Sequence, residues 1–184
     1  CEVRGHSLGH FLSACALMYA STGDEKLKQK GDTIVAELAK CQDKLGSGYL
    51  SAYPEEFIDR VETGRRVWAP WYTLHKIYAG LLDMHVLCGN GQALEVLEKV
   101  CAWIQSRTDK LSDEQMERML GNEHGGMNDV LAELAAVTGN QKYLKLSQRF
   151  NHHAVLDPLA KREDRLTGLH ANTQFPKILG AARQ

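Results

Sequence analysis

The chain has 184 residues, 43% hydrophobic and 24% charged, the make-up of one globular domain of ordinary size. Its 22 basic and 23 acidic residues leave a formal charge of −1, which removes any electrostatic reason to expect nucleic acid or an anionic membrane as partner. No run of about 18 apolar residues is present, so no membrane-spanning helix is predicted.

Helical periodicity dominates from the start. Leu8, Phe11, Leu12, Cys15, Ala16 and Tyr19 fall on one face of a first helix. Thr22-Gly23-Asp24 breaks it, and Asp24 is placed to cap a second helix running to about Lys44, with Leu27, Ile34, Val35 and Leu38 inward. Leu45 to Pro70 reads as an irregular excursion with a short helix over Glu55 to Val61. Within it, Gly48 to Tyr53 alternates weakly and is a candidate for local strand pairing. A loop of this length inside a compact domain points to function.

An apolar helix is predicted over Trp71 to Leu87, and another from Gly91 to about Thr108. A short one follows over Ser112 to Leu120, with Ser112 and Gln115 at capping-box spacing. Glu123 to Gly126 reads as a loop, Met127 to Val137 as a helix, and Tyr143 to about His152 as another. Asp157-Pro158 leads a segment with room for one helical turn, and a last helix begins at Asn172.

Three similar breaks recur: Thr22-Gly23-Asp24, Cys88-Gly89-Asn90 and Thr138-Gly139-Asn140. Each closes an apolar helix and opens a more polar one, as stacked αα-hairpins require. The fold class expected is all-α, with αα-hairpins forming part of an (α/α)6 toroid whose long loops line the mouth of a pocket. The chain begins at Cys1 and ends on Lys177 to Gln184, which reads as a helix cut in its middle. Residues 1–184 are therefore expected to be part of one domain truncated at both ends, so the absence of a leader says nothing about compartment. Apolar faces left open by such a truncation predict self-association through the toroid edge.

Of the five cysteines, none forms a C-x-x-C pair, and Cys15, Cys41, Cys88 and Cys101 sit in apolar helical surroundings, as buried thiols do. Four stretches carry candidate chemistry. His6 and His10, at i and i+4, are spaced as metal ligands, as pocket or capping groups, or as ordinary surface or core residues. Trp68 to His75 packs three aromatics and a histidine at a helix start, as a sugar-stacking platform or as core. Glu123-His124-Gly125-Gly126-Met127-Asn128-Asp129 surrounds a helix start with polar groups, either to meet a ligand or to cap the helix. Leu169 to Pro176 does the same with His170, Asn172, Thr173 and Gln174. Aromatic and neutral polar groups without excess charge suit a neutral polyhydroxylated ligand.

Five motifs then stand in order: Gly-His-x-x-Gly-His-x-Leu-Ser-Ala from Gly5, Gly-Tyr-Leu-Ser-Ala-Tyr-Pro from Gly48, Val-Trp-Ala-Pro-Trp-Tyr-Thr-Leu-His-Lys from Val67, Gly-Gly-Met-Asn-Asp-Val-Leu from Gly125, and His-Ala-Asn-Thr-Gln-Phe-Pro-Lys from His170. Together they resemble the β-L-arabinofuranosidase family of glycoside hydrolases, family 127 and its relatives, over essentially the whole chain. The resemblance implies an (α/α)6 toroid followed by β-sandwich domains, and release of arabinofuranose-type sugars, with retention, from plant glycans or glycoproteins.

It also implies sugar contacts by His75, His124 and His170, to which Trp71, Tyr72, Asn128, Asn172 and Gln174 are added as neighbours in the same motifs. The family's zinc-bound cysteine nucleophile, its glutamate acid/base and its zinc ligands follow the His-Ala-Asn-Thr-Gln motif. Zinc is therefore expected in the full-length parent and none in this piece, and no catalytic residue is carried over. Two other readings stand beside this one. The first is a non-catalytic helical-hairpin module for binding or scaffolding. The second is a toroid glycosidase using paired carboxylates drawn from Glu55, Glu56, Asp59, Glu123 and Asp129.

Overall fold

A computed structural model describes residues 2–184. Its helices are α1 (His6–Thr22), α2 (Glu25–Leu45), α3 (Glu56–Glu62), α4 (Pro70–Cys88), α5 (Gly91–Thr108), α6 (Asp113–Leu120), α7 (Met127–Thr138), α8 (Gln141–Gln148), α9 (His153–Ala160) and α10 (Ala171–Arg183). Among the described residues there is no strand, and no helix is long and apolar enough to cross a membrane.

Three helix pairs share one turn chemistry. α1, α4 and α7 each end at a glycine in the left-handed region, Gly23 at φ 70°, Gly89 at 68° and Gly139 at 70°. The next residue, Asp24, Asn90 or Asn140, is extended and begins the following helix. Its side chain accepts a backbone N–H, from Lys26 at 2.9 Å, Ala93 at 2.9 Å and Lys142 at 3.1 Å respectively. One residue stops a helix and its neighbour starts the next, so α1–α2, α4–α5 and α7–α8 fold back on themselves as packed hairpins.

The hairpins stack side by side. α1, α4, α7 and α10 pack in succession as one row, and α2, α5 and α8 as a second. Within the first row α4 is the most deeply buried, being packed by α1, α5 and α7. α4 buries Trp71, Leu74, Ile77, Tyr78, Leu81 and Met84 almost completely. α2 is amphipathic, with Val35, Ala39 and Gln42 buried at i, i+4 and i+7. Cys41 falls off that stripe and is exposed, unlike the buried Cys15, Cys88 and Cys101. This corrects the expectation for one thiol of the four.

The α1–α4 crossing is unusually close. A Cβ on Gly9 would stand 1.9 Å from the Lys76 carbonyl oxygen, and one on Gly80 would stand 2.4 Å from the Gly9 carbonyl oxygen. Only hydrogen at both positions lets these backbones meet, and the contact fixes where α4 begins relative to α1.

The excursion between α2 and α4 is held by side chains instead of strand pairing, so residues 48–53 do not form the local ladder considered above. The Tyr49 hydroxyl donates to the Tyr53 carbonyl at 2.8 Å, and the Tyr53 hydroxyl to the Pro70 carbonyl at 2.5 Å. Trp103 Nε1 donates to Glu55 at 2.7 Å. Arg107 of α5 pairs with Glu55 at 3.1 Å, Asp59 at 2.5 Å and Glu62 at 2.5 Å.

The region 141–160 differs from expectation in its boundaries. α8 stops at Gln148, and Phe150 turns fully into the core. A separate helix, α9, then begins at His153, because Glu117 of α6 accepts the N–H groups of His153 at 3.1 Å and Ala154 at 2.7 Å. Pro158 lies inside this short helix and not ahead of it.

Candidate active site

The starts of the first-row helices converge on one cavity of about 530 Å³. Val3 and His6 border it at the head of α1, and Trp68, Ala69, Tyr72 and Lys76 at the head of α4. The loop before α7 contributes Glu123, and the head of α10 contributes His170, Asn172, Phe175 and Pro176. Of the residues named from sequence, His170, Asn172 and Tyr72 therefore share one lining. Trp68 and Lys76, read in the same motifs without being singled out, join them, as does Glu123, which was named only as a candidate of the paired-carboxylate reading.

His75 and His124 are not on this lining and are buried. His75 is one turn on from Tyr72 and is 8% exposed, and His124 is wholly buried. Gly125 joins the two levels. A Cβ there would stand 3.2 Å from the Tyr72 ring and 2.5 Å from His75 Nδ1. Gly125 also holds φ +57°, so it is glycine by backbone as well as by space. The next N–H, of Gly126, donates to His75 Nδ1 at 3.0 Å. That bond leaves His75 with its proton on Nε2 when neutral.

Both imidazoles are held neutral. Burial pushes the His75 pKa down to about 3, with repulsion from Lys76 adding to it. Burial does the same for His124, also to about 3, and Lys177 and His152 reinforce it while the backbone at Asn122 and Leu120 pulls the other way. Among the described residues neither ring nitrogen of His124 meets a partner at full hydrogen-bond geometry, although the backbone at Asn122 and Leu120 lies near enough to favour its protonated form. A neutral imidazole offers one donor and one acceptor, the complement of a hydroxyl group.

The other predicted residues are deeper. Trp71 is core, its ring 5.1 Å from Phe150 and 5.8 Å from Trp103. Asn128 joins α7 to α10, donating to the Lys177 carbonyl at 2.9 Å and lying against Gly180, where a Cβ would stand 2.2 Å from its side chain. Gln174 is buried with its carbonyl oxygen unpartnered.

The cavity rim has its own electrostatics. Lys76 Nζ lies 5.3 Å over the Tyr72 ring, a cation–π contact. Burial lowers the Lys76 pKa while Glu123 raises it. His6 combines two of its readings: its Nδ1 pairs with the Val3 carbonyl at 2.8 Å, and its ring borders the cavity 6.2 Å from Tyr72. His10 is exposed beside it, the rings 6.1 Å apart.

Among the described residues no three His, Cys, Asp or Glu side chains gather as metal ligands. The carboxylates weighed for a paired mechanism are mostly engaged in ion pairs. Glu55 and Asp59 engage Arg107, Glu56 engages Arg60, and Asp129 engages Arg183. Glu123 alone of the five borders the cavity.

No curated protein is similar enough to count as a match. A comparison with protein families does match, over residues 1–184, the family described as beta-L-arabinofuranosidase, GH127 catalytic domain. The chain belongs to this family, one of glycoside hydrolases of the arabinofuranosidase type.

Proposed function

We propose that the cavity receives a β-L-arabinofuranose unit of a plant glycan or glycoprotein, and that the stacked hairpins are one arc of an (α/α)6 toroid around it. The observation that carries this reading is the meeting of His170, Asn172 and Tyr72 on one lining, with Gly125 joining Tyr72 of that lining to the buried, neutral His75. Hydroxyls of a neutral sugar need paired donors and acceptors without net charge, and neutral imidazoles, an amide and a phenol supply them. Trp68, 61% exposed at the rim, offers an aromatic face for the C–H side of a sugar ring.

In this reading the chain binds and orients the sugar while the bond-breaking groups lie outside residues 1–184. The three buried thiols stand away from the cavity lining, and burial raises the pKa of each, most for Cys101, to about 12. That disfavours a thiolate nucleophile among them. A zinc–thiolate nucleophile and a glutamate acid/base, with retention, are accordingly assigned to the parent enzyme.

The test is calorimetric titration of the chain with methyl β-L-arabinofuranoside, beside hydrolysis of an aryl β-L-arabinofuranoside by the parent enzyme. Saturable binding that His170→Ala abolishes, with turnover and a first-formed product of retained configuration in the parent, supports the reading. No binding by the chain and no turnover by the parent overturns it.

A further inference from the structure

The cavity end of α10 is held by little. Ala171, Asn172 and Phe175 are exposed, His170 makes no capping bond, and the Gln174 carbonyl oxygen is unpartnered. The far end is secured to α7, where Gly180 lies against Asn128 and Arg183 pairs with Asp129 at 2.6 Å. Between the two stands Lys177, 1% exposed and one turn beyond Gln174 on the same face. Its carbonyl accepts from Asn128 at 2.9 Å. Its ammonium has one side-chain partner among the described residues, His152 Nδ1 at 2.7 Å.

An ammonium only donates, so Nδ1 accepts and the His152 proton resides on Nε2. That nitrogen faces Glu117 Oε1 at 3.5 Å, and Glu117 is itself fixed by the His153 and Ala154 N–H groups at the head of α9. One imidazole thereby joins α10 to α9 and α6. The bond exists in a single protonation state of His152. A second proton fills Nδ1, removes the acceptor and sets two cations against each other. The buried ammonium is then left unsatisfied, which costs more than the bond contributed.

We propose that the Lys177–His152 bond is the tether that sets the cavity end of α10, and that acid releases it by protonating His152, freeing His170 and Asn172 from the cavity lining. His152 and Lys177 touch no sugar in this role; they are positioning residues. The groups that face His152 are Lys177 from α10, Glu117 from α6, His153 beside it at the head of α9, and His124 from the loop before α7, its ring 6.4 Å away. Glu123 of that loop acts on Lys177. Burial, and after it Lys177, lower the His152 pKa while Glu117 opposes them, so release falls below the ordinary imidazole value of 6.5. The tether is complete above pH 6.5 and is lost as pH falls through the lowered value.

The test is hydrogen exchange at the Gln174, Phe175 and Lys177 amides of the intact protein, without sugar, from pH 7 to pH 4 and corrected for the intrinsic pH dependence of exchange. Protection is taken relative to the Leu81 amide of α4, which registers any loss of global stability in acid. Wild-type relative protection is expected to fall about tenfold over this range, the equivalent of one hydrogen bond to a charged group. In His152→Gln the amide keeps an acceptor for Lys177 and a donor for Glu117 and cannot titrate, so the fall is expected to vanish. Lys177→Met removes the tether outright and is expected to show low protection already at pH 7. Should that variant fail to fold, the comparison of wild type with His152→Gln decides. Wild-type relative protection that stays constant to pH 4 overturns the proposal, as does an equal fall in His152→Gln or full protection in Lys177→Met. The consequence for the cavity rests on the sugar reading. Under it, methyl β-L-arabinofuranoside binding weakens in acid more steeply in wild type than in His152→Gln. No binding by either protein at pH 7 removes the sugar reading and leaves the tether decided by exchange alone.

Discussion

The Gly126 N–H donates to His75 Nδ1 at 3.0 Å, and this bond ties the loop before α7 to the helix that carries the cavity wall. Gly125 and Gly126 press so closely on the imidazole that a Cβ would stand 2.5 Å and 2.9 Å from its nitrogens. Gly125→Ala is expected to displace His75 and to strain a backbone at φ +57°, costing about 1–3 kcal/mol of stability. Gly126→Ala keeps an ordinary φ, so it is expected to weaken arabinofuranoside binding more than stability. Denaturant unfolding and ligand titration on the two variants check the difference. Equal losses in both measurements for both variants would contradict it.

The two buried imidazoles make the fold acid-sensitive. Each has its folded pKa lowered from 6.5 to about 3, so between these values the unfolded chain binds protons that the folded chain does not. Stability therefore rises with pH across that window and is fully present above about pH 6.5. Lowering the pH from 7 to 5 is expected to remove on the order of a few kcal/mol for the pair. Urea unfolding at the two pH values measures this loss. His124→Phe is expected to reduce the dependence to roughly half.

Much of this architecture is legible in the chain because its signals are local. Gly23-Asp24, Gly89-Asn90 and Gly139-Asn140 each combine a left-handed stop with a capping side chain, so the three hairpins follow from dipeptides. The Ser112–Gln115 capping box appears as expected. The end of α8 and the start of α9 were not legible for the converse reason. Glu117, far back in the chain, caps His153 and Ala154, and nothing beside those residues announces it. The site divides in the same way. Histidines at three helix starts can be read from motifs. That His75 lies under a glycine layer, and that Lys177 reaches His152, depends on packing across a long sequence separation.

The α1–α4 crossing predicts a different kind of failure. Gly9→Ala puts a methyl carbon 1.9 Å from a carbonyl oxygen on rigid helix backbone, where no side chain can move aside. The two helices must separate, which loosens Leu12 and Ala16 from the core and shifts His6 from the cavity. A loss of about 2–4 kcal/mol is expected from Gly9→Ala and a similar loss from Gly80→Ala. Because both act on one contact, the double variant is expected to lose less than the sum. Additive losses in thermal or chemical unfolding would show that the crossing is not the shared cause.

Arg107 supplies the last prediction, because one guanidinium holds the whole segment that precedes the cavity wall. Its side chain is 17% exposed and meets Glu55, Asp59 and Glu62, while Glu55 also accepts from Trp103 Nε1. Removing the cation leaves three clustered carboxylates around α3 with no neutralising partner, and their repulsion pushes α3 off α5. Arg107→Met keeps an aliphatic stem and isolates the charge. The expected cost is about 1–3 kcal/mol, with faster proteolysis between residues 46 and 69. Lys in its place restores one charge but not the fork that reaches three acids, so partial recovery is expected. Trp68 and Ala69 lie on the same segment as the cavity lining, so ligand affinity should fall with the loosening even though Arg107 touches no part of the cavity. Full affinity in Arg107→Met, together with rapid cleavage of the segment, would separate the cavity from this clamp.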